Sequence, residues 1–118
     1  MARILLADDD AAQLAVQSSL LETLGHQVDI AFSPSEALRQ LARSMPGLIV
    51  MDLRFPTTAD GLALIRAIRA AGYLGPVIVL SGWPDDLYGA PEEPMVSRVV
   101  VKGSVRVLLE SIAELLAG

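Results

Sequence analysis

Cysteine is absent from this 118-residue chain, and lysine and histidine occur once each, as Lys102 and His26. Without cysteine there is neither a disulfide framework nor a thiolate metal site, and a reducing compartment, the cytoplasm, is the expectation. No apolar run approaches the ~20 residues of a membrane span. No basic-then-apolar N-terminal segment points to secretion either. Positive charge is scarce: nine basic residues against fourteen acidic ones leave a formal net charge of −5. With no basic stripe, direct nucleic-acid binding by the chain is not expected. His26 follows Gly25 in a turn, with no carboxylate or second histidine at ligand spacing, and reads as a loop residue.

What the chain has in excess is aliphatic. Hydrophobic residues make up 53% of it, as a sheet covered on both faces requires. Its length suits one domain, residues 1–118. Four short apolar runs each stop on a reactive group. Ile4 to Ala7 runs into Asp8-Asp9-Asp10, Leu48 to Met51 into Asp52, Val77 to Leu80 into Ser81, and Val99 to Val101 into Lys102. Such runs read as buried parallel strands, and ligands of parallel sheets bind beyond the carboxyl ends of the strands.

Between the runs lie helical patterns, which makes the class α/β. Ala11 to Leu24 carries a stripe of Leu14, Ala15, Ser18, Leu21 and Leu24, ended by Gly25. Gln27 to Ala31 is a short second strand. Ser33-Pro34-Ser35-Glu36 reads as a cap, a first-turn proline and a capping-box glutamate, opening a helix with Ala37, Leu38 and Leu41 inward. After a loop from Leu53 to Asp60, Leu62, Leu64, Ile65 and Ile68 mark a third helix. Gly82, Pro84, Gly89, Pro91 and Pro94 leave room for only one or two helical turns before the fifth strand. Ser104 then caps a last helix with Val105, Leu108, Leu109, Ile112, Leu115 and Leu116 on its apolar face. Five βα units with right-handed crossovers favour a sheet order of 2-1-3-4-5. That order brings Asp8, Asp9 and Asp52 to the switch point, with Ser81 and Lys102 beside them.

Three close carboxylates resist ionisation without a counter-charge. An oxygen-only donor set points to Mg²⁺. Three carboxylates, one ammonium and one divalent cation balance, leaving a site suited to an incoming phosphoryl group. A carboxylate can serve as its nucleophile. Two readings of the lone lysine stand: chance among nine basic positions, or a need for a compact point charge that arginine does not supply.

These residues carry a resemblance. Leu5-Leu6-Ala7-Asp8-Asp9-Asp10, Val50-Met51-Asp52-Leu53 with Pro56, Asp60-Gly61, Ser81 and Lys102 occur in the order seen in receiver domains of bacterial two-component response regulators. The chain resembles that family over essentially its whole length. The resemblance implies a flavodoxin-like (βα)5 three-layer sandwich, from which the proline-broken stretch after Ser81 departs with a short or broken fourth helix. It implies Asp52 as phosphoacceptor, Ser81 as sensor of the phosphoryl group and Lys102 as its ion partner. Asp8, Asp9, Asp52 and the backbone carbonyl of Arg54 would hold Mg²⁺, while Asp10 reads as a helix cap. A sensor histidine kinase or a His-containing phosphotransfer domain would be the donor. Output would pass to a downstream protein partner or a homodimer, with no enzymatic turnover beyond the domain's own phosphorylation and dephosphorylation.

Several positions depart from the family pattern. Gly103 stands where proline is usual, which predicts a trans Lys102–Gly103 peptide. Val99 replaces a switching aromatic. Thr57-Thr58-Ala59 lengthens the loop after Asp52. Trp83, Leu87, Tyr88 and Met95 are equally readable as a partner-binding patch or as a fold over the core. The Arg54 side chain overhangs the site or simply lies on the loop surface. Arg39, Arg43, Arg66 and Arg69 read as solvated helix faces. A receiver-like interaction module independent of phosphorylation is the alternative function. A Mg²⁺-dependent phosphohydrolase is a third, weakened by the lack of a cap or a nearby general acid.

Overall fold

A computed structural model describes residues 2–117. Five parallel strands form one sheet: β1 (Arg3–Ala7), β2 (Gln27–Ala31), β3 (Leu48–Asp52), β4 (Val77–Ser81) and β5 (Arg98–Val101). Their spatial order is β2-β1-β3-β4-β5, as expected. The register sets Ala7 beside Met51, Asp52 beside Leu80 and Ser81 beside Val101, so the reactive strand ends share one rim. All five residues of both β3 and β4 are buried. That burial explains why those segments are unbroken apolar runs rather than alternating ones.

Alternate strand residues face opposite layers. Leu5, Ile49, Met51, Val77 and Val79 pack with Ala37, Leu41, Leu64, Ile65 and Ile68 of α2 (Pro34–Ser44) and α3 (Thr58–Ala70). Ile4, Leu6, Leu48, Val50, Ile78 and Leu80 pack with Leu14, Leu21, Leu108 and Ile112 of α1 (Ala11–Thr23) and α4 (Val105–Ala117). The result is a three-layer α/β sandwich. Among the described residues no helix is long and apolar enough to cross a membrane.

Side-chain caps set the helix starts. Asp10 accepts from the N–H groups of Ala12 and Gln13, as anticipated. Ser33 accepts from Glu36 N–H, and the Glu36 carboxylate accepts from Phe32 N–H. Thr57 caps α3 by accepting from Asp60 N–H at 3.1 Å. That helix therefore starts at Thr58, earlier than the expected loop to Asp60 allows, because the threonine satisfies a first-turn donor. Thr57, Thr58 and Ala59 are its cap and first turn rather than loop. Gly61 packs directly on the Leu53 carbonyl, where any Cβ would overlap the backbone.

Two expectations need correction. The buried positions of α1 are Leu14, Gln17 and Leu21, while Ala15 and Leu24 are exposed. The i, i+3, i+7 line was therefore completed by a polar residue that the apolar pattern passed over. Val105, expected on the inner face of the last helix, is also exposed; Leu108 and Ile112 are buried there as expected, joined by Ser111.

Between Ser81 and Arg98 there is no α-helix, only 3-10 turns at Pro84–Asp86 and Glu93–Met95, as the prolines imply. Long-range contacts fix this segment. Leu87 is fully buried in the α2/α3 core, and Met95 packs against that core. Arg66 pairs with Glu92. Arg69 donates to the carbonyls of Met95, Tyr73 and Gly75 at 3.0, 2.9 and 2.8 Å. Arg69 is thus a tether rather than the solvated face expected of it. Arg66 is exposed as anticipated but also pairs with Glu92, and Arg39 and Arg43 are exposed as anticipated.

Candidate functional site

Strand ends position the side chains of the rim. Asp8 and Asp9 follow β1, and Asp52 ends the neighbouring β3. Ser81 ends β4, and Lys102 follows β5, its N–H bonded to the Ser81 carbonyl at 3.0 Å. Asp8, Asp9 and Asp52 each offer a carboxylate oxygen within 4.8 Å of the others. Asp8 and Asp52 are buried, whereas Asp9 faces solvent. The ammonium of Lys102 donates to Asp52 Oδ2 at 2.9 Å. All five side chains singled out from the sequence therefore come from neighbouring strand ends of the same rim.

Asp8 is the unusual group. Its Oδ1 accepts from Asp10 N–H at 3.0 Å, while its buried Oδ2 has no partner. Burial raises its pKa from 3.8 to about 6. The Asp10 N–H bond opposes that rise, Asp52 adds to it, and Lys102 offsets part of it. A buried carboxylate with an open lone pair, two neighbouring carboxylates and no nitrogen or sulfur donor fit a hard divalent cation.

The Ser81 hydroxyl is buried and accepts from Trp83 N–H at 2.9 Å, which leaves its own proton free to donate. The Lys102–Gly103 peptide is trans, as expected; among the described residues the only cis peptide is Phe55–Pro56. Gly103 has φ +103°. Proline, locked near −65°, cannot take that conformation, which accounts for glycine at this position.

Arg54 leaves β3 two residues after Asp52, and its side chain crosses to Asp86, donating from Nε and Nη2 at 3.2 and 3.0 Å. It lies over the Trp83 ring, 5.7 Å from the centroid. Neither open reading of this side chain anticipated an ion pair, because its partner lies 32 residues away with no local pattern. The four residues expected as either patch or core divide: Trp83 and Tyr88 are exposed, and Leu87 and Met95 pack inward. His26 has a structural bond, its Nδ1 accepting from Ala2 N–H at 3.2 Å.

Comparisons with known proteins point to one family. The family model for the response regulator receiver domain matches residues 4–109. The chain is 38% identical over 88 residues to the virulence transcriptional regulatory protein PhoP of Salmonella typhimurium, covering 72% of this chain and 39% of that protein. It is 38% identical over 79 residues to the transcriptional regulatory protein PrrA of Mycobacterium leprae, covering 67% of this chain and 34% of that one. The matched region thus spans little more than a third of either relative. A receiver domain from Methylobacillus flagellatus superposes with a TM-score of 0.85 at 27% identity, covering 98% of both chains. The Thermotoga maritima response regulator TrrA, solved with Mg²⁺ and BeF, superposes with a TM-score of 0.86 over 98% of this chain and 99% of that one. At 24% identity that second likeness bears on the fold alone. The chain belongs to the response regulator receiver domains of two-component systems.

Proposed function

We propose that residues 1–118 act as a single receiver that takes a phosphoryl group from phosphohistidine onto Asp52 and thereby switches a protein–protein contact. The observation that carries this reading is Lys102 at 2.9 Å from Asp52 Oδ2, beside two further carboxylates on one rim. In this reading Asp8, Asp9, Asp52 and the Arg54 backbone carbonyl hold Mg²⁺. When bound, the metal neutralises charge on the phosphoryl oxygens.

Lys102 holds Oδ2, which leaves Oδ1 of Asp52 as the attacking atom. The new P–O bond forms on Oδ1 as the P–N bond to the donor imidazole breaks, and the imidazole keeps the electron pair. Lys102 and the Ser81 hydroxyl then donate to phosphoryl oxygens. The Ser81 proton is not engaged by Trp83 N–H, so it is available to the phosphoryl group once the hydroxyl turns toward it. The donor is a sensor histidine kinase or a His-containing phosphotransfer domain, and the receiver of the signal is a downstream protein or a second copy of the chain. Such a relay operates in the cytoplasm. The chain's chemistry is confined to its own aspartate.

Incubation with Mg²⁺ and a small phosphodonor, read by intact mass, tests the proposal. One phosphoryl adduct is expected in the parent protein and none in Asp52→Ala. An adduct that survives in Asp52→Ala, or no adduct in either protein, would defeat the assignment. In the second case the phosphorylation-independent interaction module becomes the better reading.

A further inference from the structure

Beyond the ends of β3 and β4, three segments meet at one exposed ion pair. Arg54 comes from the loop after β3, Asp86 from the 3-10 turn after β4, and Thr58 from the first turn of α3. The Arg54 guanidinium donates twice to Asp86 Oδ2, and the Thr58 hydroxyl reaches the same oxygen at 3.3 Å. Trp83 lies beneath the guanidinium, and its N–H is held by the Ser81 hydroxyl. A chain of contacts therefore runs from Ser81 through Trp83 to Arg54 and Asp86.

We infer that Arg54, Trp83 and Asp86 form a latch over the rim, opened when Arg54 exchanges Asp86 for the phosphoryl group on Asp52. This rests on the acceptor reading proposed above. Charge supplies the drive. Before transfer, the three carboxylates, Lys102 and a divalent cation sum to zero. An acyl phosphate dianion in place of the Asp52 carboxylate leaves one negative charge uncompensated. Arg54 begins two residues from Asp52 and carries a long, flexible cation. An exposed ion pair such as Arg54–Asp86 contributes little to stability, so it is cheap to break.

Ser81 acts in the same direction. As its hydroxyl turns to the phosphoryl group, it withdraws the acceptor from Trp83 N–H. Both links to Trp83 then loosen together, and Asp86 is released at the start of the segment tethered to α3. The latch supplies a route from the site to the surface that needs no aromatic at Val99.

Mg²⁺ and beryllium fluoride, used on the whole chain, provide the test. Fluorine NMR reads occupancy, and emission from Trp83, the chain's single tryptophan, reads the latch. Occupancy should require Asp52 and should change Trp83 emission. Asp86→Asn should tighten beryllium fluoride binding about two- to five-fold, the range an exposed pair can contribute. Arg54→Ala should weaken binding by a similar factor. In the Arg54→Ala background the Asp86→Asn gain should vanish, because the gain comes from freeing Arg54. An equal gain in that background would show a general charge effect and overturn the latch. So would Asp52-dependent occupancy with unchanged Trp83 emission, although the acceptor reading would then stand. No Asp52-dependent occupancy at all would overturn both.

Discussion

The acidic pocket and the segment from Gly82 to Ser97 adjoin at Ser81 but are built by opposite means. The pocket is held by backbone pairing: its side chains sit at strand ends whose register leaves them nowhere else to point. The segment is held by side chains that reach across the fold. Its anchors are Arg66–Glu92 and Arg69–Met95, each 26 residues apart, together with the buried Leu87. A pocket made by strand register is insensitive to what covers it. A segment made by a few tethers can be repositioned by changing one of them. In the proposed function, chemistry and its readout are therefore separable, and mutations should fall into two classes.

The largest effect belongs to the pocket. Lys102→Ala removes the ammonium bonded to Asp52. Loss of one preorganised donor at a site of developing charge costs about 10²–10³-fold in rate. Phosphorylation by a small donor should slow by that order while thermal unfolding changes little, because Lys102 is only half-buried. A rate within a few fold of the parent would remove Lys102 from the mechanism.

This division also explains what was legible in the sequence. A parallel sheet buried on both faces writes itself as apolar runs, and a rim site writes itself as the residue where each run stops. Strand order, the pocket residues and the caps at Asp10 and Ser33 followed from local patterns. The start of α3 precedes Asp60 because Thr57, which looks like part of the loop, caps the helix. Gln17 was missed because apolar periodicity passes over a buried polar residue. The tethers were illegible for a different reason. Arg66 and Arg69 look like any solvated helix face until their partners are placed. Nothing near Glu92 or Asp86 announces an arginine 26 or 32 residues away.

Within the segment, adjacent residues provide the sharpest contrast. Leu87 is fully buried, whereas Tyr88 is 55% exposed. Leu87→Ala should destabilise the fold by about 2–4 kcal/mol through lost contacts and the cavity left behind. Tyr88→Ala should stay within about 0.5 kcal/mol. Chemical denaturation measures both. Phosphorylation of Asp52 should survive in Leu87→Ala wherever the protein remains folded. Similar costs at the two positions would mean that the segment is not anchored through Leu87.

The pocket itself is a source of instability when no cation is bound. The folded-state pKa of Asp8, about 6, lies above its ordinary 3.8. Between those values the unfolded chain has lost a proton that the folded carboxyl retains. Stability of the metal-free protein should therefore fall as pH rises from about 4 to about 6, then level off. Asp8→Asn removes this penalty. At pH 7, in chelator, the variant should be more stable than the parent by up to about 3 kcal/mol, and its stability should depend less on pH over that interval. The same change should weaken Mg²⁺ binding. A variant less stable than the parent at pH 7 would show that the Asp10 N–H bond to Asp8 outweighs burial.

A last contrast lies beside the pocket, at Gly103, the residue after Lys102. A Cβ there would meet no other atom within 4 Å, so any cost of a side chain is backbone strain at φ +103°. Gly103→Ala should therefore cost about 1–2 kcal/mol. Gly103→Pro cannot adopt the observed turn at all. Because Lys102 immediately precedes this turn, the proline variant should disturb the Lys102–Asp52 pair and slow phosphorylation, whereas the alanine variant retains most of the rate. Equal loss in both would mean that strain alone misplaces Lys102. Loss confined to proline would show that the loop's shape, set by glycine at 103, delivers the ammonium to Asp52.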